Sequence, residues 1–433
     1  MQIIQHTLPN GLQVNLKEIH TVPMISHWVW YRVGSKEESS GITGISHWVE
    51  HLQFKGTTKN PASSLDRLIS REGGSWNAFT SQDWTTYFEV LPAEKIELAL
   101  NLESDRMINS LFKLEDVEAE RTVIIAERQG EENEPTFRLA EEVGGAAFRV
   151  HPYHHEIIGD MADLQTIQRD DIFRHYRNYY VPNNAVISIA GDFDSQKMLD
   201  KVSDIYAWLP RGEKPPRLIR PEPTQHGERR VMVHGVGETT FIQVAYHAPQ
   251  ADHADFIPLM VLDSLFSGAS GLNMFGGGGV SNKTSRLYRA LVESDVAVGV
   301  YGSLQATIDP YIYNMSITLR PQEEAAHALQ LLEDEVKRIQ DTPPVEEDVR
   351  RAVTQAKALF AYGSESITNQ AFWLGYAEMF ASYSWFEGYL ESIAAVSPLD
   401  VQRVAQRYLH PHQRTVGIFI PDSSLSAFEC EQS

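Results

Sequence analysis

The chain has 433 residues, 42% of them hydrophobic and 22% charged, the balance of an ordinary globular protein. A formal net charge of −21 excludes nucleic acid as an expected partner, because phosphate repels such a surface, and suits basic or cationic peptides. The length exceeds one ordinary core, so two domains of about 200 residues each are expected.

The single cysteine, Cys430, excludes a disulfide framework and a cysteine-ligated zinc site, so any metal must be held by His, Asp or Glu. No window approaches the roughly 18 apolar residues of a membrane-spanning helix, and no membrane partner is expected. Met1 to His6 lacks a basic stretch followed by an apolar one. The sequence as given therefore reads as cytoplasmic, or as periplasmic if a signal peptide was removed.

In chain order, His6 to Val14 reads as strand, turn, strand, with Asn10-Gly11 as the turn. Ile25 to Val33 is β-branched and aromatic and reads as a strand, and Gly34 to Gly44 as a loop. A helix follows that carries His47-Trp48-Val49-Glu50-His51, an H-x-x-E-H frame. Its two imidazoles lie one turn apart on one helix face, so both nitrogens can reach a single zinc ion at about 2.0–2.1 Å. Glu50, beside them, is placed to take a proton from an attacking water. The order is the inverse of the commoner H-E-x-x-H. Alone, the frame also fits a helix with two half-buried histidines and an exposed glutamate.

A second helix is expected near Ser64 to Glu72, before Gly73-Gly74, and a strand pair over Trp76 to Val90. Helical patterns fill Ala93 to Leu111, Leu114 to Gly130, Phe137 to Phe148 and Arg169 to Tyr179, and Ala185 to Ala190 is a strand. The acidic run Glu131 to Glu134 reads as a solvated loop, and His151, His154 and His155 as structural histidines. Five prolines between Leu209 and Pro223 mark a linker. The expected domains are therefore 1–212 and 230–433, joined by 213–229.

The second half restarts with strands at Arg230 to Val236 and Phe241 to His247. Helices at Phe256 to Phe266 and Ser285 to Val292 follow, and strands and helices then alternate to the end. This order echoes the first half and suggests a diverged internal duplication. Gly276 to Gly279 lacks the Lys-Ser/Thr of a phosphate loop and reads as a flexible connection. Trp373, Tyr376, Phe380 and Tyr383 have helical spacing and are expected in the core.

A catalytic zinc site needs a third protein ligand and an open position for water. Glu118, Glu120, Glu127 and the run Glu131, Glu132 and Glu134 all lie on or just beyond one helix, so spacing alone does not choose among them.

The helix reads Glu120-Arg121-Thr122-Val123-Ile124-Ile125-Ala126-Glu127. Together with His47 to Thr57, it resembles the pitrilysin/insulinase family of inverted-motif zinc peptidases, in the branch of the processing peptidases. Leu8-Pro9-Asn10-Gly11-Leu12, Trp76-Asn77-Ala78-Phe79-Thr80, His151-Pro152-Tyr153 and Tyr179-Tyr180-Val181-Pro182-Asn183-Asn184 extend the likeness over nearly the whole chain. The resemblance implies an α+β fold of two homologous α/β-roll domains that form a clamshell on dimerisation. It implies one Zn2+ held by His47, His51 and Glu127, the last 76 residues beyond His51. Glu120 would orient a ligand histidine and hold its tautomer. Asn77, Ala78 and Phe79 would lie on an edge strand to which an extended peptide substrate adds.

One feature departs from the family. Members carry an Arg and a Tyr seven residues apart in the second half, which bind substrate and stabilise the oxyanion. After Ser285-Arg286-Leu287-Tyr288 the corresponding positions here are Val292 and Gly299, with Tyr301 two residues off. The expected function is thus a zinc metalloendopeptidase acting on short or unfolded polypeptides. It would be the catalytic subunit of a heterodimer whose homologous, zinc-free partner supplies the pair. The alternatives are a non-catalytic assembly subunit of the same fold, or a zinc hydrolase with another substrate.

Overall fold

The computed structural model describes residues 3–269, 282–321 and 323–422, except for the side chains at 63 and 64. Gly276 to Gly279 and Cys430 lie outside the described residues. In chain order come β1 (Ile3–Thr7), β2 (Gln13–Glu18), β3 (Met24–Tyr31), α1 (Ile45–Leu52), α2 (Ala62–Arg71), β4 (Ser75–Thr80) and β5 (Thr85–Pro92). Then follow α3 (Ile96–Asn109), α4 (Leu114–Glu132), α5 (Pro135–Ala147), α6 (Met161–Thr166), α7 (Arg169–Tyr179), β6 (Ala185–Gly191) and α8 (Ser195–Tyr206). The second half holds β7 (Arg229–Gly235), β8 (Phe241–Ala248), α9 (Phe256–Ser267), β9 (Ala297–Leu304) and β10 (Tyr311–Leu319). It ends with α10 (Ala325–Asp341), α11 (Glu346–Tyr362), α12 (Ile367–Phe380), α13 (Tyr383–Ala394), α14 (Pro398–Tyr408) and β11 (Arg414–Pro421).

The fold is mixed α and β, with two open sheets packed on helices. The first sheet has the order β1-β2-β6-β3-β5-β4 and the second β7-β11-β8-β10-β9. Without β1 the two orders are the same. The pairing senses agree as well: β2 with β6 and β7 with β11 are parallel, and all other neighbours antiparallel. The echo seen in the sequence is thus a repeated topology. One expectation fails. Strands and helices do not alternate to the end, because five helices, α10 to α14, run between β10 and β11. The first half does the same with α3 to α7 between β5 and β6.

The chain forms two compact units that are interleaved in sequence. One comprises Met1–Arg128, His155–Arg220 and Ser364–Phe386; the other comprises Gln129–His154, Pro221–Gly363 and Glu387–Ser433. The first sheet is covered by α12, from the second half of the chain, which packs on β2, β3 and β6. The second sheet is covered by α5, from the first half, which packs on β7, β8 and β11. These two helices hold equivalent places in the repeat and are exchanged.

The sequence of α12 explains its position. From Ala371 to Phe380 it is apolar almost all round, and such a helix must be buried all round. Phe372 and Tyr376 meet Trp30 of the central strand β3, and Phe372 also meets Trp28. Trp28 stacks in turn on Phe88 of β5 at 4.1 Å. Trp373, Tyr376, Phe380 and Tyr383 are buried, as their spacing suggested.

Residues 210–228 have no regular secondary structure, as five prolines there require. The acidic run is corrected: α4 continues through Glu132, so Glu131 and Glu132 are helical. Among the described residues, no helix is long and apolar enough to cross a membrane.

Candidate active site

The helix α1 is set by what holds its N-terminus. Gly44 precedes it at φ 83°, and a methyl there would lie 2.3 Å from the Ile158 carbonyl oxygen. The buried Glu38 carboxylate accepts hydrogen bonds from the Gly44 and Ser46 N–H groups at 2.7 and 2.8 Å. It satisfies two orphan donors and places negative charge at the positive end of the helix. His155 bonds Glu38 at 3.1 Å, and His175 meets the Ser46 hydroxyl at 3.2 Å. His155 is thus a structural histidine, as is His151, which bonds Asp309 at 3.3 Å. Burial lowers His155, but the Glu38 hydrogen bond offsets this and raises it overall.

One turn apart on α1, His47 and His51 bring their Nε2 atoms to 3.2 Å. Glu127, seven residues after Glu120 on α4, places Oε2 3.5 Å from the His51 Nε2 and 3.9 Å from the His47 Nε2. A tetrahedral ion at about 2.0–2.1 Å from each ligand sets ligand atoms about 3.3–3.4 Å apart. The three atoms are therefore near a metal-sized triangle, and the donor types suit zinc. Among the described residues, this is the one group of three or more His, Cys, Asp or Glu so placed. Glu127 is also the most open of the three, its side chain 43% exposed against 12% and 20% for the histidines.

The other candidate carboxylates separate by what they touch. Glu118 pairs with Arg121 on the helix surface. Glu120 accepts a hydrogen bond from His51 Nδ1 at 2.8 Å and an ion pair from Lys55. With Nδ1 protonated, the His51 Nε2 lone pair points toward His47 and Glu127. Burial raises the Glu120 carboxyl, but the bonds from His51 and Lys55 outweigh it and the group is lowered. Burial lowers His51, yet Glu120, Glu50 and Glu127 together raise it. Among the described residues no carboxylate meets the His47 Nδ1, and burial holds this histidine down at about 3.

Glu50 lies on the same helix, mostly buried, and burial raises its pKa. Its Oε2 accepts a 2.5 Å hydrogen bond from the Thr80 hydroxyl, which opposes that rise. Thr80 ends β4, and β4 is an edge strand of the first sheet, paired among the described residues only with β5. Asn77 is exposed on it, Ala78 is buried, and Phe79 stacks 5.9 Å from Phe88. The side chain of Asn77 bonds the N–H of Ala78 at 2.9 Å.

Two contributors went unassigned in the sequence. Lys55 and Thr80 both sit inside motifs that were read, but the partner of each lies on another element.

The equivalent place in the second unit is closed. There α9 offers Leu259, Leu262 and a buried Asp263, which accepts from the Tyr313 hydroxyl at 2.9 Å and from Ser267 at 2.8 Å. A methyl on Gly302 of β9 would lie 1.8 Å from Asp263 Oδ1, so helix and edge strand touch. Val292 ends a π-helical turn, and Gly299 lies on β9 beneath the Tyr301 ring.

Two α/β repeats, one with a His-His-Glu set beside a helix glutamate and one without, make a duplicated scaffold with one candidate metal site among the described residues. The comparisons fix the family. Residues 13–161 match the sequence model described as insulinase (peptidase family M16), and residues 166–356 match that of the peptidase M16 inactive domain. The chain belongs to this family. It is 27% identical over 406 residues to an uncharacterized zinc protease of Streptomyces coelicolor, covering 93% of this chain and 86% of that one. It is 26% identical to a probable mitochondrial-processing peptidase subunit beta of Arabidopsis thaliana, over 97% of this chain and 78% of that one. The crystal structure of a protease from Helicobacter pylori superposes with a TM-score of 0.90 at 26% identity, covering 97% of this chain and 99% of that one.

Proposed function

We propose that this chain is a zinc-dependent endopeptidase for short or unfolded polypeptides, acting as the zinc-bearing subunit of a heterodimer. The observation that carries the reading is the joint placement of His47, His51 and Glu127 with Glu50 beside them. When bound by these three residues, a zinc ion polarises the scissile carbonyl and lowers the pKa of water towards about 7. Glu50, whose carboxyl burial raises, takes the proton of the attacking water and delivers it to the leaving amine. Thr80 holds its carboxylate in place. Glu120 and Lys55 fix the His51 tautomer. A peptide would add to the free side of β4, with Asn77, Ala78 and Phe79 flanking the scissile bond.

Glu50→Gln is expected to keep zinc and lose about 10²–10⁴-fold in kcat. Metal analysis beside cleavage of a quenched peptide, with and without chelator, checks this. Retained turnover in a zinc-loaded variant would refute the role of Glu50.

The heterodimer rests on Val292 and Gly299, where the family places its Arg and Tyr, and is supported by a relative named as a subunit. The purified chain is expected to cleave poorly alone. Full activity from a monomer or homodimer would defeat this part of the reading.

A further inference from the structure

Arg106 of α3 is almost wholly buried, and a buried cation is expensive unless its surroundings repay it. Its Nη2 pairs with Glu103 and lies 3.9 Å from Glu89. The Nε and Nη1 atoms make no hydrogen bond among the described residues. An ion pair alone thus uses little of the guanidinium fork. Its flat faces are spent on aromatic rings instead: the central carbon lies 4.6 Å from the Tyr87 ring centre, 5.3 Å from Trp76 and 5.5 Å from Phe54.

The three rings come from three elements. Phe54 stands in the 3-10 turn that follows α1, three residues after His51. Trp76 is on the edge strand β4, next to Asn77. Tyr87 is on β5, opposite Ala78. Phe54 and Trp76 also touch edge to face at 4.7 Å. The strand β4 has a ladder on one side only, so its distance from α1 is not set by the sheet. Thr80 ties one end of it to Glu50. At the other end Trp76 is held by the cage and by a 3.1 Å hydrogen bond to Asp66.

We propose that Arg106, through its cage of Phe54, Trp76 and Tyr87, is a positioning residue that fixes the edge strand against the helix of His47, Glu50 and His51. It would thereby set the register of a bound peptide with the reacting groups. The peptide part rests on the peptidase reading above; the strand part does not. Misplacement by about 1 Å can cost 10²-fold in rate, so the cage is expected to act on kcat rather than on metal binding.

The test uses the full chain with zinc and three variants: Arg106→Met, Trp76→Leu and Trp76→Phe. The second covers the case in which the first fails to fold. Amide hydrogen exchange over 75–80 is expected to quicken about tenfold or more in Arg106→Met and Trp76→Leu, and to stay near the parent in Trp76→Phe. Zinc content should not change, while kcat on a quenched peptide falls about 10- to 100-fold with KM little altered. Unchanged exchange over 75–80 in a folded Trp76→Leu chain overturns the proposal. So does a loss of activity that follows only a loss of zinc or of folded protein. If exchange quickens as expected but the unaltered zinc-loaded chain cleaves no peptide, alone or beside a homologous zinc-free subunit, the strand positioning stands and the peptidase reading falls.

Discussion

His51 and His175 show how neighbours assign a histidine its task. His51 gives one nitrogen to Glu120 and turns the other toward Glu127. His175 meets the Ser46 hydroxyl and, at 4.7 Å, the Tyr179 ring, with no carboxylate bond among the described residues to offset burial, which holds it down at about 3. A histidine lowered on folding is neutral in the fold and takes up a proton on unfolding below pH 6.5. Its contribution is therefore present above pH 6.5 and lost as the pH falls toward 3. His175→Gln is expected to flatten the pH dependence of stability between pH 6 and 4.5 by about 1.4 kcal/mol per pH unit. Urea unfolding across that range measures it; equal slopes in parent and variant would contradict it. At this scale the sequence was partly legible. The H-x-x-E-H spacing put two imidazoles and a carboxylate on one helix. It did not separate Glu118, Glu120 and Glu127, because one helix carries all three and only the packing of α4 on the site tells them apart.

At the scale of elements, α12 seats on the first sheet through Gly375. A methyl there would lie 2.0 Å from Trp30 Nε1 and 2.7 Å from Ser188 Oγ, two atoms already hydrogen-bonded to each other. Alanine would gain up to about 1 kcal/mol of helix propensity over glycine. Overpacking of about 1–3 kcal/mol should exceed that, since the neighbour is a buried indole in the central strand. Gly375→Ala is expected to lower the urea midpoint of the first unit, read by tryptophan fluorescence. A midpoint at or above the parent's would mean that the helix can shift without cost. The helical spacing of Trp373, Tyr376 and Phe380 announced burial but named no partner, since periodicity reports a face and not what lies against it. α8 was legible and missed: Asp194 accepts from the Lys197 N–H as an N-cap should. α6, six residues long, offers little pattern to read.

At the scale of the whole molecule, the repeat was visible as an echo of element order, but the exchange of α5 and α12 was not. Nothing local in a helix records which of two similar sheets it will cover. The exchange makes a prediction about fragments. Residues 1–212, expressed alone, lack α12 and leave Trp28 and Trp30 without Phe372 and Tyr376. Such a fragment is expected to bind a hydrophobic dye and to give a broad unfolding transition. Adding a peptide spanning 364–386 should sharpen the transition and reduce dye binding. A fragment that unfolds cooperatively by itself would show α12 to be dispensable.

The late arrival of α12 also has a cost in time. The last strand of the first sheet is complete at Gly191, and α12 ends at Phe380, roughly 190 residues later. At a synthesis rate of about 5–20 residues per second, the aromatic face of that sheet waits about 10–40 s for its cover. During that interval the growing chain displays tryptophans that the finished protein hides. Its safe production therefore depends on whatever shields nascent chains in the cell.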